Sequence, residues 1–127
     1  MPIPCLQVKM RTNSYKNLPV EELTQLLKLL AEPNRLHILC SMGLECRPVS
    51  AIVAATGLTQ TNVSFHLRAL REAGVVKAER HGSFVYYCLY DTRLLQLLES
   101  LNDWRQTQAT RRDSATEDIV EDTIKAG

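Results

Sequence analysis

The chain has 127 residues, of which 45% are hydrophobic and 23% charged, and its formal net charge is +1 at neutral pH. This length suits one domain with a modest core, and the small net charge excludes a strongly basic nucleic-acid coat. No run is long and apolar enough to span a membrane, and no signal peptide is visible. We therefore expect a cytoplasmic protein that does not enter a membrane.

The two ends of the sequence differ in charge. Residues 1–19 contain Lys9, Arg11 and Lys16 and no acidic residue, whereas residues 108–127 are rich in Asp and Glu. Uneven charge at the termini is typical of solvated tails. We predict a mobile basic N-terminal arm over 1–19, one domain over 20–107, and an acidic, disordered C-terminal tail over 108–127.

Three helices are predicted before the middle of the chain. Leucines at helical spacing indicate the first helix over Val20–Leu30, and the run AEPNRLHILCSM contains the second. The third, Ser50–Thr56, has Ser50 as a candidate N-cap and Gly57 as its C-terminal stop.

A fourth helix begins after Thr59, whose hydroxyl can accept a hydrogen bond from a free N–H of the first turn. Val63, Leu67 and Leu70 recur at i, i+4 and i+7 and form one apolar stripe. The remaining faces carry amide, hydroxyl, aromatic and guanidinium groups, which suit base edges and phosphates; the alternative is an ordinary solvated surface. The predicted DNA contacts on this helix are Thr59, Gln60, Thr61, Asn62, Ser64, Phe65 and Arg68.

Two strands are predicted next, Val75–Arg80 and Ser83–Tyr90, because both runs are rich in Val and Tyr. His81 and Gly82 between them suit a tight turn. A short turn between the third and fourth helices, followed by a hairpin, predicts a winged helix-turn-helix. The fold class is then mainly α with a small β-hairpin, in the order α-α-α-α-β-β-α. The candidate DNA contacts at the hairpin tip are Arg80, His81 and Ser83. The alternative is that these residues are only solvated.

The last predicted helix runs from Thr92 to about Thr107, with Asp91 as a candidate cap. It is rich in leucine, like the first helix, and a chain this small has limited interior for both. Pairing the two helices across a two-fold axis would bury the surplus apolar surface and predicts a homodimer. The alternative is that both helices complete a monomer core.

Three segments together resemble the ArsR/SmtB family of small bacterial repressors: AEPNRLHILCSM, VSFHLRALREAGVV and HGSFVYYCL. The resemblance covers residues from about 23 to 101. It implies a homodimer that represses an operon from double-stranded operator DNA with an inverted repeat and releases it when an effector binds. No enzyme is expected, because the sequence has no Gly-rich phosphate loop, no H-E-x-x-H and no nucleophile elbow.

The four cysteines, Cys5, Cys40, Cys46 and Cys88, bear on the effector. In a reducing cytosol we expect thiols rather than a disulfide framework. Cys40 and Cys46 are close in sequence and are the predicted sensing pair, as a disulfide or as metal ligands, with Cys5 of the arm as a third thiolate. Such a set suits arsenite or a soft metal ion, and an oxidant or persulfide is the alternative effector. Cys88 is expected to be a packing residue.

Known metal sites of the family transfer poorly to this sequence. The pair of cysteines flanking one residue at the start of the third helix is absent from RPVSAIV, and Arg93, Trp104 and Thr107 replace ligands of the zinc-type site on the last helix. A subgroup of the family that senses persulfide or oxidant has one cysteine in the second helix and one in the last. Cys40 matches the first, but Gln106 lies near the position of the second, so the pair is incomplete. Three hypotheses stay open: a repressor switched by thiol chemistry, a repressor controlled by another ligand or by its own synthesis, and a winged-helix protein–protein interaction module.

Overall fold

The computed structural model describes residues 12–126, with side-chain surroundings from Tyr15 to Ser114. Most of the predicted arm lies outside the described residues, and so does Cys5. After a 3-10 helix (Thr12–Asn17), the described part contains five α-helices and three strands. They are α1 (Val20–Leu30), α2 (Pro33–Met42), β1 (Arg47–Pro48), α3 (Val49–Thr56), α4 (Gln60–Glu72), β2 (Val76–His81), β3 (Phe84–Leu89) and α5 (Arg93–Ala126). The predicted winged helix-turn-helix order is confirmed, with β1 as an addition.

The core forms where α2, α3 and α4 pack together beneath the sheet. Val63, Leu67 and Leu70 are at most 1% exposed, so the apolar stripe predicted on α4 is confirmed. Ile52 of α3 is fully buried in the same cluster. This packing holds α4 by one side and leaves its other side exposed to solvent. The buried partners from α2 are Ile38, Leu39 and Met42.

The sheet is antiparallel, in the order β1-β3-β2. His81 pairs with Phe84, so Gly82 and Ser83 form the loop, and the turn lies one residue later than predicted. Gly82 has a φ of 66°, a conformation that glycine adopts without steric cost and that tight hairpin turns require. β1 was not predicted because two residues carry no alternating pattern.

Helix ends mostly follow their predicted caps. Gly57 ends α3 in the left-handed conformation and donates its N–H to the Val53 carbonyl at 2.9 Å, as predicted. Thr59 Oγ1 accepts from the Asn62 N–H at 3.1 Å and caps α4. The prediction for Ser50 is wrong, because α3 already begins at Val49, after Pro48, without a side-chain cap.

The last helix is longer than predicted. α5 continues past Thr107 to Ala126, through the segment 108–126 that we expected to be disordered. Its sequence from Arg93 to Ala126 contains neither Gly nor Pro and includes many good helix formers, so no residue stops it. The high charge of this segment does not distinguish a disordered tail from a helix, because a helix with solvated faces is also highly charged. None of the helices described has the length and apolar character needed to cross a membrane.

The Thr59 cap gives a first testable prediction. Thr59→Ala removes the side chain that caps the first turn of α4, and we expect it to lower the free energy of unfolding by about 0.5–2 kcal/mol. Urea denaturation measures this loss. The exposed Thr61 has the same side chain without the capping bond, so Thr61→Ala should stay within about 0.5 kcal/mol of the wild type. Equal losses in both variants would contradict the cap.

Candidate nucleic-acid interface

The outward side of α4 is polar and open. All the residues predicted to contact DNA from this helix are exposed, and Phe65 is 64% exposed despite its size. The Arg68 side chain is 76% exposed, and its Nε lies 3.1 Å from a Glu72 carboxylate oxygen in an i,i+4 ion pair. The guanidinium is therefore accessible, but Glu72 competes with any anion that approaches it. Arg71, also exposed in the last turn, is a second cation that sequence reasoning did not select.

A polar cluster fixes the inner side of α4 against α2. The His66 side chain is only 12% exposed, and its Nδ1 accepts from the Arg35 guanidinium at 3.5 Å. With Nδ1 as acceptor, a neutral imidazole carries its proton on Nε2, which lies 3.8 Å from the Glu32 carboxylate. Glu32 also caps α2 by accepting from the Arg35 N–H at 2.9 Å. His66 therefore has a structural role, in which it links α4 to Glu32 and Arg35 of the α2 start.

The hairpin presents its own polar group beside α4. Glu79 bridges two side chains, with one oxygen 3.2 Å from Lys77 Nζ and the other 3.3 Å from His81 Nε2. The His81 ring also packs edge-to-face on Tyr86, with 5.2 Å between centroids. Arg80, His81 and Ser83, the predicted contacts at the tip, are all exposed. The hairpin tip can therefore meet an anion, although Glu79 holds part of its positive charge.

The Glu79 bridge predicts a pH response. The hydrogen bonds from Lys77 and then His81 lower the pKa of Glu79 below its ordinary 4.5. A carboxylate with a lowered folded-state pKa contributes stability above its unfolded pKa and loses it as pH falls through the folded value. Carboxyl-carbon NMR should place the Glu79 midpoint below 4.5, and Lys77→Met should raise it. A midpoint at or above 4.5 in the wild type would contradict the bridge.

The cysteines are arranged differently from the prediction. Cys46 and Cys88 form a disulfide, with their Cα atoms 4.3 Å apart, and Cys40 is free and exposed on α2. Two expectations are therefore wrong: that all cysteines are thiols, and that Cys46 pairs with Cys40. The reason is topological, because β1 pairs Arg47 with Tyr87, and one further step along this ladder sets Cys46 opposite Cys88. Closeness in sequence to Cys40 does not create this contact.

A carboxylate group lies close to the two sulfur atoms. The Sγ atoms of Cys46 and Cys88 and a Glu79 oxygen all lie within 4.8 Å of one another. Cys88, expected to be a packing residue, is 4% exposed but belongs to this group, whereas Cys46 is open to solvent. Among the described residues, these three side chains form a group whose ligand atoms are close enough to hold a metal ion.

Two apolar surfaces lie away from the polar face of α4. Leu26 and Leu27 of α1 are 40% and 57% exposed. On α5, Leu97, Leu101 and Trp104 follow at i, i+4 and i+7 and are each more than half exposed. An open cleft lined by Leu26 and Leu97 joins the two helices. A single protomer therefore leaves large leucine and tryptophan side chains uncovered.

Comparisons with known proteins agree with this geometry. Residues 32–78 match the model of the bacterial regulatory protein, arsR family. NmtR, an HTH-type transcriptional regulator of Mycobacterium tuberculosis, is 42% identical over 73 residues, 58% of this chain and 61% of that protein. CmtR, another such regulator of that organism, is 41% identical over 81 residues, 62% of this chain and 67% of that protein. A homodimeric winged helix-turn-helix DNA-binding domain from Mycobacterium bovis is 31% identical with a TM-score of 0.62, covering 77% of this chain and 90% of that one.

A helix held on a buried stripe, preceded by a short turn and followed by a β-hairpin, defines a winged helix-turn-helix protein. The sequence and structural matches narrow this class of protein to one family. The chain belongs to the ArsR family of bacterial regulatory proteins, and the predicted resemblance is confirmed. It spans about three fifths of NmtR.

Proposed function

We propose that this protein is a cytoplasmic, dimeric transcriptional repressor that binds operator DNA through α4 and the hairpin and is released by chemistry at its cysteines. The exposed polar face of α4, supported from behind by Val63, Leu67 and Leu70, is the observation that carries the proposal. Two relatives are named transcriptional regulators, and the similar Mycobacterium bovis domain is described as DNA-binding. All three descriptions support the same activity.

The proposed DNA contacts divide by chemistry. Residues in the first half of a recognition helix contact base edges, and amides and hydroxyls can read the donor and acceptor pattern of the major groove. Phe65 supplies an apolar surface for a thymine methyl group, and Arg68 suits a guanine edge or a phosphate. Thr59 positions the helix through its cap. The base-reading set is Gln60, Thr61, Asn62 and Ser64, and the wing set facing the DNA backbone is Arg80, His81 and Ser83.

Dimerisation is proposed through the exposed leucines of α1 and α5. The Mycobacterium bovis domain is described as homodimeric, which supports the same assembly here. A two-fold axis would place two α4 helices in successive major grooves. The operator is then an inverted repeat with half-sites separated by about one helical turn.

The effector is proposed to act at Cys46 and Cys88. These sulfurs meet where the chain enters α3, so a change in their bonding reaches the first helix of the helix-turn-helix and the wing together. Arsenite, a soft metal ion or an oxidant can each react with or bind thiols. Cys40 is exposed and lies on α2, which makes it a suitable control rather than a partner.

Operator binding tests this function. Fluorescence anisotropy with the full, reduced chain should show specific binding to DNA from its own promoter at least about 10³-fold tighter than to a scrambled duplex. Log affinity should fall linearly with log salt concentration, because phosphate contacts release counterions. Equal affinity for both duplexes, or no binding at low salt, would overturn the proposal and favour a protein–protein interaction module.

A further inference from the structure

We propose that Cys46, Glu79 and Cys88 form a binding site for a thiophilic divalent cation, Zn²⁺ or Cd²⁺, which opens when the disulfide is reduced. The inference rests on the proposed function in one respect: it names the class of effector. Binding of the cation itself can be tested without DNA. The three side chains come from the β1 entrance, β2 and β3, so the folded sheet, rather than a short sequence motif, brings them together.

The donor set suits such a cation. Two thiolates and one carboxylate are all accepted ligands of Zn²⁺, and thiolates favour soft ions over Mg²⁺ or Ca²⁺. Their ligand atoms already lie within 4.8 Å of one another, so modest side-chain rotations can bring them around one ion. Three protein ligands leave the fourth position for water or another small ligand.

The geometry also explains how Glu79 reaches the sulfurs. Lys77 stands opposite Cys88 in the β2–β3 ladder, and Glu79 is two residues further along β2. Residues two apart on a strand share a face of the sheet, so Glu79 lies diagonally beside Cys88 on that face. Its hydrogen bonds with Lys77 and His81 lower the pKa of Glu79, and the side chain is a carboxylate at neutral pH.

Burial gives the site one open side. Cys88 is 4% exposed, whereas Cys46 is exposed and the Glu79 side chain is 38% exposed. A dithiol reductant can therefore attack Cys46 Sγ, break its bond to Cys88 and release Cys88 as a thiolate. The second thiol of the reductant then displaces Cys46, leaving two protein thiols and an oxidised, cyclic reductant. Cation binding displaces the protons of both thiols.

Occupation of the site would change the DNA-facing surfaces. The carboxylate oxygens that coordinate the ion are those that now lie 3.2 Å from Lys77 and 3.3 Å from His81. Binding therefore competes with the contacts that orient the hairpin tip. The ion would also link Cys46, just before α3, to the wing. Both changes act on elements proposed to meet DNA, and an effect on operator affinity of about 5–150-fold is typical of such coupling.

Cadmium titration of the full chain tests the site. We expect the protein reduced with a phosphine to bind one Cd²⁺ per chain with ultraviolet thiolate-to-cadmium charge-transfer absorption, and the oxidised protein to show none. Cys46→Ser, at an exposed position, and Cys88→Ser should each lose about half of this absorption, because one of the two thiolates is removed, and should bind Cd²⁺ more weakly. Glu79→Gln should keep the absorption, because both thiolates remain, but should bind Cd²⁺ more weakly than the wild type.

The matched control is Cys40→Ser, which removes the exposed cysteine of α2 and should bind Cd²⁺ like the wild type. Circular dichroism confirms that each variant is folded, and Cys46→Ser remains informative if the buried Cys88→Ser unfolds. Unchanged Cd²⁺ binding in folded Cys46→Ser, or loss of the signal in Cys40→Ser, would overturn the proposed site. Operator binding by the reduced, metal-free protein is measured separately, so failure of the site and failure of the proposed function are distinguishable.

Discussion

Arg68→Ala is expected to weaken operator binding by about 1–3 kcal/mol if the guanidinium reads a base edge. If it holds a phosphate instead, affinity should fall similarly for all sequences and the salt slope should decrease by about one. Arg68 lies on the exposed face of α4 with three quarters of its side chain accessible, and the buried stripe behind it holds the helix in place. Anisotropy titrations at two salt concentrations separate the two roles.

Glu72 provides the matched variant. Its carboxylate is 3.1 Å from Arg68 Nε and would repel phosphates, so Glu72→Gln should strengthen operator binding while leaving the fold unchanged. The ion pair is exposed, so its removal should change stability by less than about 1 kcal/mol. Unchanged affinity for Arg68→Ala combined with Ser64→Ala, at both low and moderate salt, would refute the assignment of this face to DNA.

Charging the apolar face of α5 is expected to have the largest effect on assembly. Leu97→Glu with Leu101→Glu would place two carboxylates in the proposed dimer interface, and an uncompensated buried charge costs about 3–5 kcal/mol. We expect a monomer by sedimentation at micromolar concentration and a loss of operator affinity of more than about 100-fold. Both leucines are more than half exposed in the protomer, so its fold should survive.

The control for this variant lies on the opposite side of the same helix. Gln106 is exposed and points to roughly the opposite side of the helix axis from Leu97 and Leu101. Gln106→Glu therefore adds charge without entering the proposed interface. It should remain dimeric. A monomeric wild type, or a double glutamate variant that stays dimeric with full operator affinity, would contradict dimerisation through α5.

Local chemistry made much of the fold predictable. The leucine spacing of Val20–Leu30 predicted α1 with its bounds, and the Thr59 hydroxyl and the stripe beginning at Val63 predicted α4 with its orientation. These features depend on neighbours within one or two turns. Their signals are therefore present in a short window of sequence.

What was missed depends on residues distant in sequence. Cys46 and Cys88 are 42 positions apart and meet only because a two-residue strand pairs with β3. Glu79 joins them through the hairpin register. Cys40, six positions from Cys46, was preferred for its closeness in sequence, which says nothing about whether two side chains converge. The cluster of Cys46, Glu79 and Cys88 was therefore harder to predict than α4.

Footprinting of the reduced protein on its own promoter tests the central claim most directly. A dimer that places two α4 helices in successive major grooves should protect two inversely repeated half-sites, centred about one helical turn apart. Protection should disappear with the double substitution of Arg68 and Ser64 by alanine. Protection of a single half-site, or no protected sequence at a protein concentration that saturates anisotropy, would contradict the account.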